Sequence, residues 1–175
     1  MLTSKEGPSL GLTNGYIYNF LAKETKSPKG GRIFKDVYAA DTIPIKLLSG
    51  SEKCICICNT SQSTEKGSHF LTLLIERSSI TVYDSLVVNL KIASPALYKS
   101  LKDSKKPIHN AFQKPLQGAQ SIHCGFYCIY FALQLSHRVP EKLLKPFDYS
   151  KRTQNDRNVI ENIKIILRYI YKKNK

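Results

Sequence analysis

No apolar run in this chain approaches the ~18–20 residues a helix needs to cross a bilayer, which excludes a membrane-spanning helix. The opening residues, MLTSKEGPSLGL, lack the long apolar core of a secretory signal, so none is expected. Acidic side chains are scarce: 13 Asp and Glu stand against 27 Lys and Arg, for a net charge of +14. Cysteines number five, an odd count, and three of them alternate as Cys54, Cys56 and Cys58 in CICIC. That pattern excludes the disulfide framework of a small secreted scaffold, and a reducing compartment suits it better. Zinc sites favour Cys-x-x-Cys knuckles in pairs, and no such pair exists here, so the CICIC thiols are expected to pack in the core. Internal repeats and clear linkers are also lacking, which leaves one domain over residues 1–175.

What is present fits a globular chain. Hydrophobic residues make up 42% and charged residues 23% of 175 positions, enough for a substantial core. The basic excess points to DNA or another polyanion as partner, because neutralising phosphates releases condensed counterions. The plainer reading is a basic, soluble surface.

Patterning sets the expected elements. LTNGYIYNFLAKE over 12–24 reads as a helix capped by Thr13 or Asn14. SPKGGR over 27–32 is a turn, and FKDVYAADTIPIKLL runs extended or irregular toward Pro44. KCICICNT and SITVYDS alternate, while SHFLTLLIE is nearly all apolar, as a buried strand would be. Short loops between the three predict antiparallel neighbours. SPALYKSLKDSKK reads as a helix with Ser94 as cap and Pro95 first. PIHNAFQKPL holds a further short strand. A buried helix runs from Cys124 to before Pro140. The last helix carries Thr153 and Asp156 as a capping box and an apolar stripe through Val159, Ile163, Ile166 and Ile170. Arg157, Lys164, Arg168 and Lys172 form a basic row opposite, interrupted by Glu161; it reads as a solvated face or a nucleic-acid contact.

The stretch QGAQSIHCGFYCIYFAL, Gln117 to Leu133, carries the chemistry. A thiolate, not a thiol, is a nucleophile, and a helix N-terminus favours an anion through unpaired N–H groups and its dipole. Cys124 sits at such a start, and Gly125 lets backbone or substrate approach closely. Cys128, one turn on, reads as a small core hydrophobe. A base must reach the thiol. His123 is adjacent and points away, His137 lies 13 residues down the helix, and His109 has no acid placed to orient it. His69 opens a strand, and Asp84 ends the next one 15 positions later, so the two should meet across the sheet edge. A carboxylate there would orient the imidazole and stabilise its cation. An acyl transfer also needs donors for the oxyanion, and a glutamine amide with the Cys124 N–H would serve. Spacing alone does not choose among Gln113, Gln117 and Gln120.

The order His, acid, Gln, Cys resembles the adenain-like cysteine proteases, the adenovirus endopeptidase and its relatives, in the same clan as SUMO- and NEDD8-processing proteases. GSHFLTLLIE resembles the family's Gly-x-His-aromatic strand, and TVYDS its acid-bearing strand end. QGAQSIHCGFYC is similar to its Gln-Gly-x-x-x-x-x-Cys-Gly block, with Gln seven before Cys, whereas SUMO proteases usually have one fewer. FKDVYAADTIP resembles an upstream segment of proteases from Maverick/Polinton elements and virophages. The resemblance covers about residues 12–135. It implies Cys124 as nucleophile, His69 as base, Asp84 as orienting acid and Gln117 as oxyanion donor. It implies an α+β fold, a papain-like variant with a small mixed or antiparallel central sheet flanked by helices. It further implies a thiol endopeptidase maturing viral capsid or core proteins near small Gly-containing motifs.

Two departures stand out. The family usually has Trp after the histidine, and Phe70 stands there in a chain without Trp. The adenovirus enzyme is activated by DNA and, through a disulfide, by a viral peptide. No cysteine lies between Cys58 and Cys124, so only non-covalent activation by DNA or a peptide is expected. No cofactor or metal is expected. A monomer in the virion, and in the host nucleus or a cytoplasmic virus factory, completes the reading. Its rivals are a protease of SUMO or ubiquitin-like proteins and a basic DNA-binding protein without catalysis.

Overall fold

The computed structural model describes residues 11–25 and 33–173; the turn expected over 27–32 lies outside the described residues, as does most of the opening stretch. The strict alternation of KCICICNT makes strand β2 (Cys54–Asn59). Its period of two sends Ile55 and Ile57 into one apolar layer and Cys54, Cys56 and Cys58 into the other. Both faces are covered, so every residue of β2 and of β3 (Phe70–Ile75) is buried. SITVYDS supplies β4 (Ile80–Tyr83). FKDVYAADTIPIKLL divides into β1 (Phe34–Tyr38) and a short helix, α2 (Ile45–Ser49), which starts after Pro44. A last short strand is β5 (Ile108–Asn110).

The strands lie in the order β1-β2-β3-β4-β5. The β2-β3-β4 centre is antiparallel, as the short loops require. The outer strands β1 and β5 join in parallel. Parallel neighbours need a crossover. Between β4 and β5 it is made by two helices, α3 (Leu90–Ala93) and α4 (Pro95–Asp103). The fold is therefore α+β with a mixed sheet.

Helices α1 (Asn14–Glu24) and α5 (Cys124–His137) cover the Ile55/Ile57 face, and α6 (Arg152–Lys173) packs on α5 and extends the same apolar cluster. Helices α2 and α4 cover the cysteine face, where Leu48, Leu97 and Leu101 meet the three thiols. Thr13 caps α1, its Oγ1 accepting the Tyr16 N–H at 3.2 Å. Among the described residues no helix is long and apolar enough to cross a membrane.

Two expected caps do not form. Ser94 stands at the N-cap of α4, but its hydroxyl donates to the Thr60 carbonyl at 2.6 Å and ties the helix to the end of β2 instead. Helix α6 starts at Arg152, so Thr153 is already inside its first turn. Asp156 turns inward, where it accepts the Tyr127 hydroxyl at 3.2 Å and the Gly118 N–H at 3.3–3.4 Å. A buried pair of donors outcompeted the solvent-facing capping box.

Candidate active site

The β3–β4 register pairs Thr72 with Tyr83. Extended to the strand ends, it sets Leu86 opposite His69 and leaves Asp84 as a diagonal neighbour. Asp84 Oδ1 lies 2.7 Å from His69 Nε2, and both residues are buried. The Asp84 carboxylate also accepts the N–H groups of Leu86 at 2.9 Å and Val88 at 2.8 Å. Between those amides Val87 is held at φ 56°. A β-branched residue avoids that left-handed conformation, and strain of this kind collects at functional sites.

Helix α5 crosses β3 and starts at Cys124, which lines the same cleft as the His69 ring. Nε2 is taken by Asp84, so Nδ1 is the nitrogen left for the thiol. It is buried and has no hydrogen-bond partner among the described residues, so the ring and the sulfur share a cleft without a formed bond between them. The Cys124 N–H belongs to the first turn, where backbone donors lack helical acceptors. Cys124 is half-buried, whereas Cys54, Cys56, Cys58 and Cys128 are all buried. Burial holds the Cys128 thiol well above the usual thiol range, which suits a core residue.

Burial of the His69 ring opposes its charge, but the hydrogen bond and negative charge of Asp84, with the Cys124 side chain nearby, outweigh it and raise the imidazole to about 9. Burial likewise opposes the Asp84 charge, and the His69 bond and cation, with the two backbone N–H groups, hold the carboxyl below its ordinary value. The signs define a window. The raised imidazole contributes stability fully present below 6.5 and lost as pH rises through about 9. The depressed carboxyl contributes stability above 3.8 that is lost as pH falls through its lower folded value. Wild type should thus lose on the order of 3 kcal/mol between about pH 6 and 9.5. Asp84→Asn should lose much less over that range. Urea unfolding of both proteins at the two pH values checks this; equal losses would refute the pairing.

Gln117 is completely buried and lines the cleft beside Cys124 and His69. Its Oε1 accepts the Ser85 hydroxyl at 2.7 Å, and its Nε2 donates to the Ser121 carbonyl at 2.6 Å. Gln113 and Gln120 are exposed. The other histidines lie elsewhere. His109 is exposed on β5, His123 pairs through Nδ1 with Ser121 Oγ at 2.8 Å, and His137 donates to the Glu24 carbonyl at 2.7 Å. The structure thus gathers His69, Gln117 and Cys124 around one cleft of about 730 Å³, with Asp84 behind the His69 ring. Leu12, Ile122 and Phe70 form apolar parts of its wall, and the loop after β2 closes it, steadied by Asp41, which accepts Ser63 N–H and Oγ at 2.8 Å each.

Gly125 works differently from the sequence expectation. A Cβ there would lie 2.9 Å from Leu12 Cβ and 3.2 Å from Ile17 Cδ1. The close approach seen here is by Leu12 and Ile17 at the start of α1. Sequence reasoning also missed the clamp on the Gln117 loop. Arg152 Nε donates to the Gln117 carbonyl at 2.6 Å, and Asn155 Nδ2 to the Leu116 carbonyl at 3.0 Å. Gly118 has no room for a side chain, because a Cβ would lie 2.8 Å from Asp156 Oδ2. The one signal for this was an Asn-Asp pair at the start of a helix whose polar residues should have faced water.

No protein-family profile matches the chain, and no curated protein does. A solved structure of the Xanthomonas campestris effector protein XopD bound to ubiquitin aligns with 91% of this chain and 97% of that one. The two are 14% identical, with a TM-score of 0.44.

Proposed function

We propose that this chain is a cysteine endopeptidase. The observation that carries the reading is the His69 ring, held by Asp84 through one nitrogen, with the other buried and unpartnered at the cleft that Cys124 lines from a helix start. A ring raised to about 9 is an imidazolium at neutral pH and stands ready to give a proton to a leaving group in the cleft. The sulfur attacks the scissile carbonyl carbon, and the carbonyl π pair moves to oxygen. The Cys124 N–H and the Gln117 amide meet that oxyanion. His69 passes its proton to the departing amine as the C–N bond breaks, then takes one from the water that hydrolyses the thioester. Asp84 keeps the ring oriented throughout.

For the substrate, the QGAQSIHCGFYC block and its seven-residue gap support maturation of viral capsid or core precursors beside small Gly-containing motifs. The second reading is release of ubiquitin-like proteins, the kind of partner bound in the XopD structure. DNA as activator or tether is supported by the net charge of +14 and by exposed Arg157, Arg168 and Lys172 on α6; Lys164 is paired with Glu161 at 2.8 Å. Gly-x-Gly peptides and a fluorogenic ubiquitin-like C-terminal reporter, each with and without duplex DNA, separate these readings. Preferred turnover of the peptides supports the maturation reading, and preferred turnover of the reporter replaces it. Turnover of neither, with no selective reaction of Cys124, overturns the enzyme assignment.

A further inference from the structure

We infer that Ser85 is a positioning residue that holds the Gln117 amide in place once the Ser121 carbonyl has set its direction; the inference rests on the protease reading above. A carboxamide is nearly symmetric in shape, and reversal would turn its acceptor toward the oxyanion. The Ser121 carbonyl forbids reversal, and the Ser85 hydroxyl holds the amide at its other end. The Ser121 carbonyl can only accept, so the amide nitrogen must face it at 2.6 Å. That leaves Oε1 toward Ser85, whose hydroxyl donates at 2.7 Å. The nitrogen carries two protons, and the second has no acceptor among the described residues; it is left for a group in the cleft.

Ser85 also grips the backbone. Its carbonyl accepts the N–H groups of Leu116 at 2.8 Å and Gln117 at 3.0 Å. It is 1% exposed and directly follows Asp84, so the turn that carries the orienting acid also anchors the Gln117 loop. Among the described residues its hydroxyl bonds Gln117 and neither the reacting sulfur nor the imidazole. Its effect on chemistry must therefore pass through Gln117.

The test uses Ser85→Ala in the full chain. Peptide kcat should fall about tenfold or more, since one oxyanion donor is worth ~10²–10³ when removed outright. KM should stay within about twofold. Alkylation of Cys124 by iodoacetamide forms no tetrahedral oxyanion, so its rate should not change. In a Gln117→Ala background, Ser85→Ala should cost nothing further, as residues acting through one another are not additive. Hydrogen exchange at the Gln117 side-chain amide needs no substrate, and it should quicken at least tenfold in Ser85→Ala. Unchanged kcat, an equal further loss in the double variant, or unchanged exchange overturns the assignment. Slower alkylation does too, because it would show that the Asp84 turn itself had moved. Failure of the protease reading looks different: wild type would neither cleave nor alkylate selectively, while the exchange measurement still decides Ser85.

Discussion

Cys124→Ala should abolish peptide cleavage, with a loss of at least about 10⁴-fold, because removing the nucleophile leaves only binding and the oxyanion donors. Alanine keeps the helix start and removes one half-buried sulfur. Thermal stability should therefore stay within about 1 kcal/mol of wild type. The same substitution at Cys128 would open space in the core and leave the chemistry in place, so the two cysteines, one turn apart, should separate activity from stability. A peptide assay and a thermal melt on each variant make the comparison. Residual cleavage by Cys124→Ala within tenfold of wild type would remove Cys124 from the mechanism.

Gln117→Ala should lower kcat by ~10²–10³ with little change in KM, the loss expected for one oxyanion donor. The side chain is completely buried between Ser85 and Ser121, so alanine also strands two polar partners. A stability loss of about 1–3 kcal/mol accompanies it. Gln117→Glu separates the two effects. It keeps the shape and the Ser85 bond but replaces the donating end with an acceptor, and it should lose at least as much turnover. Steady-state kinetics below the melting range of each variant read this directly. A Glu variant as active as wild type would show that the amide does not face the oxyanion.

The sheet centre was legible because its signals are local. Alternation in KCICICNT and short loops fix β2, β3 and β4, and the pairing of His69 with Asp84 follows from strand ends meeting. Cys124 was legible because the apolar run of α5 starts there. Gln117 came from resemblance alone; no periodicity distinguishes it from Gln113 or Gln120, and burial, which does, is a tertiary property. Ser85 was hidden for the same reason, since its partner is 32 positions away. Asp156 misled because Thr and Asp three apart suit a capping box, and only the folded chain shows Gly118 and Tyr127 competing for the carboxylate. The parallel outer strands depend on crossovers, which sequence spacing does not orient.

The most direct test is the rate at which iodoacetamide labels Cys124 near pH 6.5, in wild type and in His69→Ala, with peptide mapping to locate the label. An imidazolium facing the sulfur predicts rapid labelling of Cys124 in wild type, at least about a hundred times faster than in His69→Ala. Equal rates in the two proteins would contradict the account, because the sulfur would then owe nothing to the ring beside it.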